Sequence, residues 1–205
     1  MISLTIYMEG GGDSNGQLAQ LRTGMDRFLT PIKDRFREKH WRWKLIPCGG
    51  RRSAYDKFSN AMKNQKPGEK IILLVDAEAP ITESTRTLHL EKRPGDGWDL
   101  SGVSEDHIHL MAQSMEAWIV ADPEALSEYY GQNFLVNKLP VRQNLEEEPK
   151  VDCAAKLADA TRNTQKGEYK KIKHAAELLG KISSAKVRER CPHAETLFST
   201  LNKLI

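Results

Sequence analysis

Two pairs of acidic residues follow apolar, strand-like runs of the sequence, an arrangement that can bind a metal ion. Glu9 ends the run ISLTIYME, and Asp13 follows it after three glycines. Asp76 and Glu78 end the run KIILLVDAE, at a spacing that puts their side chains on one side of an extended chain. Binding sites in open parallel sheets form at the carboxyl ends of the strands. If these two strands are neighbours, the four carboxylates converge on one edge of the sheet.

The convergence of four carboxylates predicts a divalent cation. Anions this close repel one another in a cleft of low dielectric constant, and a bound cation relieves that repulsion. Oxygen ligands suit Mg²⁺ or Mn²⁺ and do not suit zinc. The glycines at 10–12 let the backbone turn tightly beside the ion. The alternative is that each acid is an ordinary surface residue or helix cap, with Asp13 capping the helix that follows.

Further charged residues are candidates for the same edge. Glu116 starts a helix after the fourth expected strand, and is either another metal ligand or an acid favoured by the helix dipole. Arg51 and Arg52 follow the second strand, where they are candidates for contacts with a phosphate backbone. Lys171 and Lys173 are candidates for stabilising charge that develops on a phosphate. The alternative for both lysines is a solvated helix face.

The elements that must position these residues alternate between strand and helix as far as residue 78. This alternation predicts an α/β fold with a four-stranded, mostly parallel sheet and helices on both faces, the fourth strand lying in DHIHLMAQ. Pro31 is expected to break the helical pattern between the first two strands. Residues 79–105 are polar, and within them RPGDGWDLSG is expected to be a loop, with Trp98 the one exposed tryptophan. The segment NLEEEPK is expected to be an exposed loop.

The second half of the chain is expected to be mainly helical. Apolar spacing predicts helices over 151–163, 168–181 and 184–203. We therefore divide the chain into an α/β domain at 1–125 and a helical C-terminal extension at 126–205 that packs on it.

Composition narrows the classes of function. The net charge of +3 over 205 residues is too small to indicate nucleic-acid binding by itself. Short apolar runs predict no membrane association, and the sequence has no signal-peptide pattern, so we expect a cytoplasmic protein with three reduced cysteines. The segment EGGGDSNG lacks the GK[ST] of a phosphate-binding loop and the GxGxxG of a dinucleotide site, which argues against both.

Two short motifs resemble the Toprim fold of topoisomerases, primases and OLD-type (overcoming lysogenization defect) nucleases. MEGGGD supplies the glutamate that this family has after its first strand, at Glu9. VDAE supplies its DxD after the third strand, with Asp76 matching and Glu78 replacing the last aspartate. The spacing of Glu9 and Asp13 is most similar to the OLD branch. SMEAWIVADPEAL and YKKIKHAAELL resemble segments of an uncharacterised bacterial Toprim-like family, related to RloB-type proteins.

The resemblance implies Mg²⁺-dependent phosphodiester chemistry of the nuclease type. One carboxylate would be the general acid or base and the others would hold one or two metal ions, with Glu9, Asp76 and Lys171 implied as catalytic. OLD-type sites use a further acid after the DxD, which Glu116 would supply. Members of the similar family are often encoded beside an ATPase, as in anti-phage defence pairs, which implies an ATPase partner.

Two other functions compete with a nuclease. One is a non-catalytic binding module that docks to an ATPase or to nucleic acid, which the small net charge and the glutamate at 78 favour. The other is a hydrolase of small phosphate esters, which predicts a closed pocket where a nuclease predicts an open cleft with a basic rim. The substrate and the oligomeric state stay open at this point.

Overall fold

A computed structural model describes residues 2–205 of the chain. Its four strands form one sheet in the order β2-β1-β3-β4, and every neighbouring pair is parallel. The strands are β1 (Ser3–Met8), β2 (Arg42–Pro47), β3 (Glu69–Asp76) and β4 (Ile108–Met111). The predicted α/β fold with a four-stranded sheet is therefore confirmed, and the two acid-bearing strands, β1 and β3, are neighbours.

Ten helices accompany the sheet within the described residues. They are α1 (Asn15–Phe28), α2 (Thr30–Glu38), α3 (Arg51–Lys63), α4 (Arg86–Lys92), α5 (Met115–Val120), α6 (Pro123–Tyr130), α7 (Lys150–Thr161), α8 (Lys171–Leu179), α9 (Ser184–Arg190) and α10 (Pro192–Lys203).

The burial of the strands follows their apolar patterns. In β1 buried and half-buried residues alternate, whereas the last six residues of β3 are all buried. A strand with a continuous apolar run is covered on both faces, as expected for a parallel sheet. β3 therefore lies at the centre of the molecule and carries Asp76 from the core to the sheet edge.

The start of α1 is defined by a capping box. The Ser14 hydroxyl accepts a hydrogen bond from the backbone N–H of Gln17, and the Gln17 side chain accepts one from the Ser14 N–H. Ser14, not Asp13, is the residue that caps this helix. Pro31 lies in the first turn of α2, so the expected break occurs at Leu29, which ends α1 and precedes α2.

Two apolar clusters lie on opposite faces of the sheet. The larger one joins α1, α2 and the C-terminal helices to β1, and contains Phe28 stacked on Trp118 with ring centroids 5.2 Å apart. The smaller one lies under α3 and α4 and contains Phe58 and Trp98. Residues 126–205 thus contribute to the same core as the first strand.

Helix α4 forms in the polar stretch before the expected loop RPGDGWDLSG, and Thr85 caps it by accepting a hydrogen bond from Leu88 N. Two local expectations are wrong. Trp98 is only 5% exposed because its ring stacks on Tyr55, with centroids 4.7 Å apart. The segment 144–150 buries Leu145 and Glu148, since the Glu148 carboxylate accepts hydrogen bonds from two basic side chains.

The helix expected over 184–203 is two helices. α9 ends at Arg190 and α10 begins at Pro192, because proline has no N–H to continue the first helix and its ring favours a helix start. No helix among residues 2–205 is long and apolar enough to span a membrane.

All three cysteines are free and buried. Cys48 lies in the smaller apolar cluster, and Cys153 and Cys191 lie in the larger one. Burial raises the pKa of the Cys153 thiol to about 12 and raises the pKa of the other two thiols as well. None of the three is therefore a reactive thiolate in the folded protein.

Candidate metal centre

Three carboxylates converge where β1 and β3 end. One ligand oxygen from each of Glu9, Asp76 and Glu78 lies within 4.8 Å of the other two. The pairing of Met8 with Leu74 brings the two strand ends together. The sequence predicted a convergence of four carboxylates, and the parallel pairing of β1 and β3 brings three of them together, without Asp13.

Glu9 is held by both strands. Its backbone N–H donates to Leu74 O at 3.0 Å, and its Oε2 accepts the backbone N–H of Asp76 at 3.2 Å. Arg51 Nη1 lies 3.3 Å from the same Oε2. With one oxygen engaged in this way, the carboxylate has a fixed orientation and its other oxygen is available to a ligand.

The glycine-rich turn after β1 closes one side of the site. Gly10 and Gly49 exchange backbone hydrogen bonds of 2.7 and 3.0 Å, so the turns after β1 and β2 are joined. Gly10, Gly11 and Gly12 have φ values of 107°, 96° and 67°, which residues with a Cβ rarely adopt. The three glycines are therefore required by the backbone path.

Glu78 lies beyond the end of β3 in a left-handed conformation, with φ at 69°. Its backbone N–H donates to Gln113 O at 2.8 Å, which fixes the turn. Its side chain pairs with Lys150 Nζ at 2.5 Å and lies 3.8 Å from Arg93. A non-glycine residue at positive φ is strained, and such strain concentrates at functional sites.

Lys171 joins the acids of β3 and α5. Its Nζ lies 2.8 Å from Asp76 Oδ2 and 3.3 Å from Glu116 Oε2. Glu116 also accepts a hydrogen bond from the Tyr169 hydroxyl at 3.2 Å. Asp76 accepts the backbone N–H of Met115 at 2.9 Å. Glu116 thus reaches the site, where it binds the lysine that contacts Asp76.

Burial and neighbouring charges shift the pKa values of the ionisable side chains in the site. Burial, and next the Asp76 carboxylate, raise the pKa of Glu9 to about 7. Burial disfavours the Lys171 ammonium, but Asp76 and Glu116 outweigh it and raise the pKa of Lys171. Burial likewise opposes ionisation of Glu78, but the Lys150 hydrogen bond lowers the pKa of that carboxyl. Burial also raises the pKa of Asp76, although the Lys171 ammonium opposes that rise.

The basic residues expected to contact phosphate have different surroundings. Arg51 is largely buried against the acids: its Nη1 donates to Asp76 O at 2.5 Å and its Nε to Asp96 at 2.8 Å. Its guanidinium also lies over Trp98, 4.6 Å from the ring centroid. Arg52 is exposed and pairs with Asp56 at 2.9 Å.

Two more candidates, Asp13 and Lys173, lie around the site, and Ser114 lies at the start of α5. Asp13 lines the cleft above the acids but stands outside the group of three close carboxylates. Lys173 lines a separate groove between α1 and α8. Ser114 is at the N-cap position of α5, but its buried hydroxyl makes no hydrogen bond within the described residues.

The sequence did not reveal four residues that organise the site. Lys150 pairs with Glu78, Asp96 and Trp98 hold Arg51, and Tyr169 donates to Glu116. They come from loops and distant helices with no periodic pattern. The only available signal was Tyr169, which directly precedes the basic pair containing Lys171.

A cleft of about 260 Å³ opens above the carboxylates. Its lining combines Glu9, Asp76 and Lys171 with the glycine turn and with apolar side chains from α1 and α8. The arrangement can hold a divalent cation through oxygen ligands, with an ammonium group alongside.

Comparison with known proteins gives one match. No curated protein and no solved structure matches the chain significantly. A family model matches residues 8–202. This range includes the last residue of β1, the other three strands in full, and every helix except the last residue of α10. The chain therefore belongs to the family described as Domain of unknown function (DUF4276).

Proposed function

We propose that the chain is a Toprim-like phosphodiesterase of the nuclease type that depends on Mg²⁺ or Mn²⁺. The proposal rests on the approach of Glu9, Asp76 and Glu78 to within 4.8 Å at the ends of adjacent parallel strands. Carboxylates are the ligands that Mg²⁺ and Mn²⁺ prefer. The bound cation would polarise a phosphoryl oxygen and lower the pKa of a water molecule.

The side chains of the site would have different roles in the reaction. Glu9, Asp76 and Glu78 would hold the cation. The pKa of Glu9 is about 7 in the metal-free protein, and a bound cation would keep this carboxyl ionised as a ligand. Lys171 lines the cleft and would present its ammonium to charge that develops on the phosphate.

The contacts of two residues favour roles other than those the resemblance implied. Glu116 is 4% exposed and binds both Lys171 and Tyr169, which favours an anchor for the lysine over a direct metal ligand. Arg51 binds Glu9 and Asp96, which favours a residue that positions Glu9 over one that contacts a phosphate backbone.

A specific observation favours the second candidate, a non-catalytic module that docks to an ATPase or to nucleic acid. Lys171 and Lys150 pair with Asp76 and Glu78, so the chain supplies cations to two of the three acids. A site neutralised in this way folds without a metal ion. The ATPase partner and the role in anti-phage defence rest on the sequence resemblance alone.

Metal binding separates the two candidates. Calorimetric titration with Mn²⁺ should show one or two sites in the wild type, and Glu9→Gln and Asp76→Asn should abolish the heat of binding. Asp34→Asn is the matched control, because Asp34 is an exposed acid on α2, 53% exposed and outside the cluster. Absence of binding in the wild type at millimolar Mn²⁺ would reject the enzyme and support the module.

A further inference from the structure

We infer that the cleft accepts a single unpaired nucleotide unit and its phosphodiester, and excludes duplex nucleic acid. The inference rests on the proposed function, because it names the substrate class of the same site. It depends on three properties of the cleft: its size, its apolar wall and the state of the cations near it.

The first property is size. The cleft measures about 260 Å³, slightly less than the roughly 300–1,000 Å³ that small-molecule sites occupy. Glu9 and Asp76 line the cleft together with Leu21 of α1 and Met115 of α5, so a substrate that reaches these two acids also contacts apolar side chains. A duplex exposes its phosphodiesters but keeps its bases paired and stacked in its interior, so it cannot place a nucleoside in a cleft of this size.

The second property is the apolar wall opposite the glycine turn. Ile172 is 52% exposed although it is a large apolar residue, and it lines the cleft with Leu21 and Ala175. It directly follows Lys171, which contacts Asp76. A substrate whose phosphate lies at the acids therefore has an apolar surface next to it. A nucleoside matches this arrangement, because its base and sugar are adjacent to the phosphate.

The third property is that the cations near the cleft are already paired. Lys171 is the only Lys or Arg among the cleft-lining residues that the structure describes, and it pairs with Asp76. Arg51 binds Glu9 and Asp96, and Arg52 binds Asp56. Long stretches of nucleic acid are held by rows of basic residues that contact successive phosphates. The residues of this cleft provide for one phosphate.

Binding can be measured without turnover by replacing Mg²⁺ with Ca²⁺. The probes are the dinucleotides TpT and UpU, the single strand dT12 and a 12-bp duplex, titrated by calorimetry at three salt concentrations. We expect the affinity of at least one dinucleotide to be within tenfold of the affinity of dT12. The affinity of the duplex should be at least 100-fold lower than that of dT12. The slope of log affinity against log salt should be shallower than about −1.5, as for one or two phosphate contacts.

A wall variant tests where the nucleoside lies. Ile172→Ser should weaken dinucleotide binding about tenfold, whereas Val141→Ser should leave it unchanged. Val141 is 91% exposed and does not line the cleft, so it is a matched control for loss of an exposed apolar side chain. Equal affinity of the Ile172→Ser variant and the wild type would overturn the assignment of the wall.

The results for the two proposals are distinguishable. Hydrolysis of bis(4-nitrophenyl) phosphate with Mn²⁺ tests the chemistry independently of the nucleotide. Dinucleotide binding without hydrolysis would reject the proposed activity and support the inference. Hydrolysis accompanied by tight duplex binding, or by a dT12 affinity more than 100-fold above that of the dinucleotides, would support the activity and overturn the inference. Failure of every nucleotide probe to bind would also overturn it.

Discussion

Glu9 shows how a single side chain in this site is adjusted by its neighbours. Burial raises the pKa of Glu9 most, the neighbouring Asp76 carboxylate raises it further, and Arg51 opposes the rise. The balance leaves the pKa at about 7 instead of 4.5. Because the pKa of Glu9 is raised in the folded protein, ionisation of this carboxyl lowers the stability of the fold, and the loss can be measured.

The pH dependence of stability is the first prediction. The folded protein binds the Glu9 proton more tightly than the unfolded chain does, so this contribution to stability is complete below pH 4.5 and is lost as pH rises through about 7. Glu9→Gln mimics the protonated form. Without metal, its free energy of unfolding should exceed that of the wild type by about 3 kcal/mol at pH 8 and match it near pH 4.5.

Urea denaturation at several pH values, with EDTA present, measures this difference. Asp34→Asn again serves as the control, and its difference from the wild type should not follow the same curve. A Glu9→Gln difference that is constant from pH 5 to pH 8 would contradict the raised pKa.

At the residue scale, the sequence predicted the cluster of three carboxylates better than its surroundings. Glu9, Asp76 and Glu78 could be found because strand ends in a parallel sheet meet at one edge. The partners of these acids could not, since Lys150 and Lys171 lie 72 and 95 residues from the acids they bind. Only the packing of the C-terminal helices brings those lysines to the sheet.

At the scale of elements, the contact between α1 and α8 positions Lys171. Gly24 of α1 lies against α8, and a Cβ added at Gly24 would be 1.9 Å from the carbonyl oxygen of Ala176. Such a distance is impossible without moving one helix. The backbones of the two helices therefore approach closely because residue 24 has no side chain.

The second prediction follows from this contact. Gly24→Ala should lower the free energy of unfolding by about 2 kcal/mol or more, since overpacking forces the helices apart. Gly16→Ala, on the same helix, is the control: among the described residues no heavy atom lies within 4 Å of the added Cβ. It should be neutral or stabilise by about 0.5 kcal/mol. Urea denaturation measures the free energy of unfolding of both variants. An equal loss in the two variants would contradict the close contact.

Element predictions succeeded where periodicity was strong. β1, β3 and α1 have clear apolar patterns and were found. Helix α4 was missed because it has seven residues and buries only His89 and Leu90, too few for a periodic signal. The break before α10 was missed although Pro192 was visible, because the apolar spacing continues across it.

At the scale of the whole molecule, residues 1–125 and 126–205 share one core. Phe28 of the first segment packs against Trp118 and also against Phe198 of the second, with ring centroids 5.2 and 5.7 Å apart. The same cluster includes Leu4 of β1 and Leu178 of α8, both fully buried. The C-terminal helices therefore complete the sheet's core.

The third prediction concerns this shared core. A fragment of residues 1–125 should lack a cooperative unfolding transition, because it exposes the face that the C-terminal helices cover. The full chain should unfold in a single transition, with the same midpoint by tryptophan fluorescence and far-ultraviolet circular dichroism. A fragment that unfolds cooperatively, or two separate midpoints in the full chain, would show that the segments are independent.

The buried cysteines allow local unfolding of the protein to be measured on each side of the sheet. Cys48 lies on one side of the sheet, and Cys153 and Cys191 lie on the other. A thiol reagent can reach them only when the layer above opens, so the labelling rate of each cysteine measures the free energy of that opening. In variants with a single cysteine, a ligand in the cleft that stabilises the helical layer containing α8 would slow the labelling of Cys153 or Cys191. The labelling rate of Cys48, under α3, would not change.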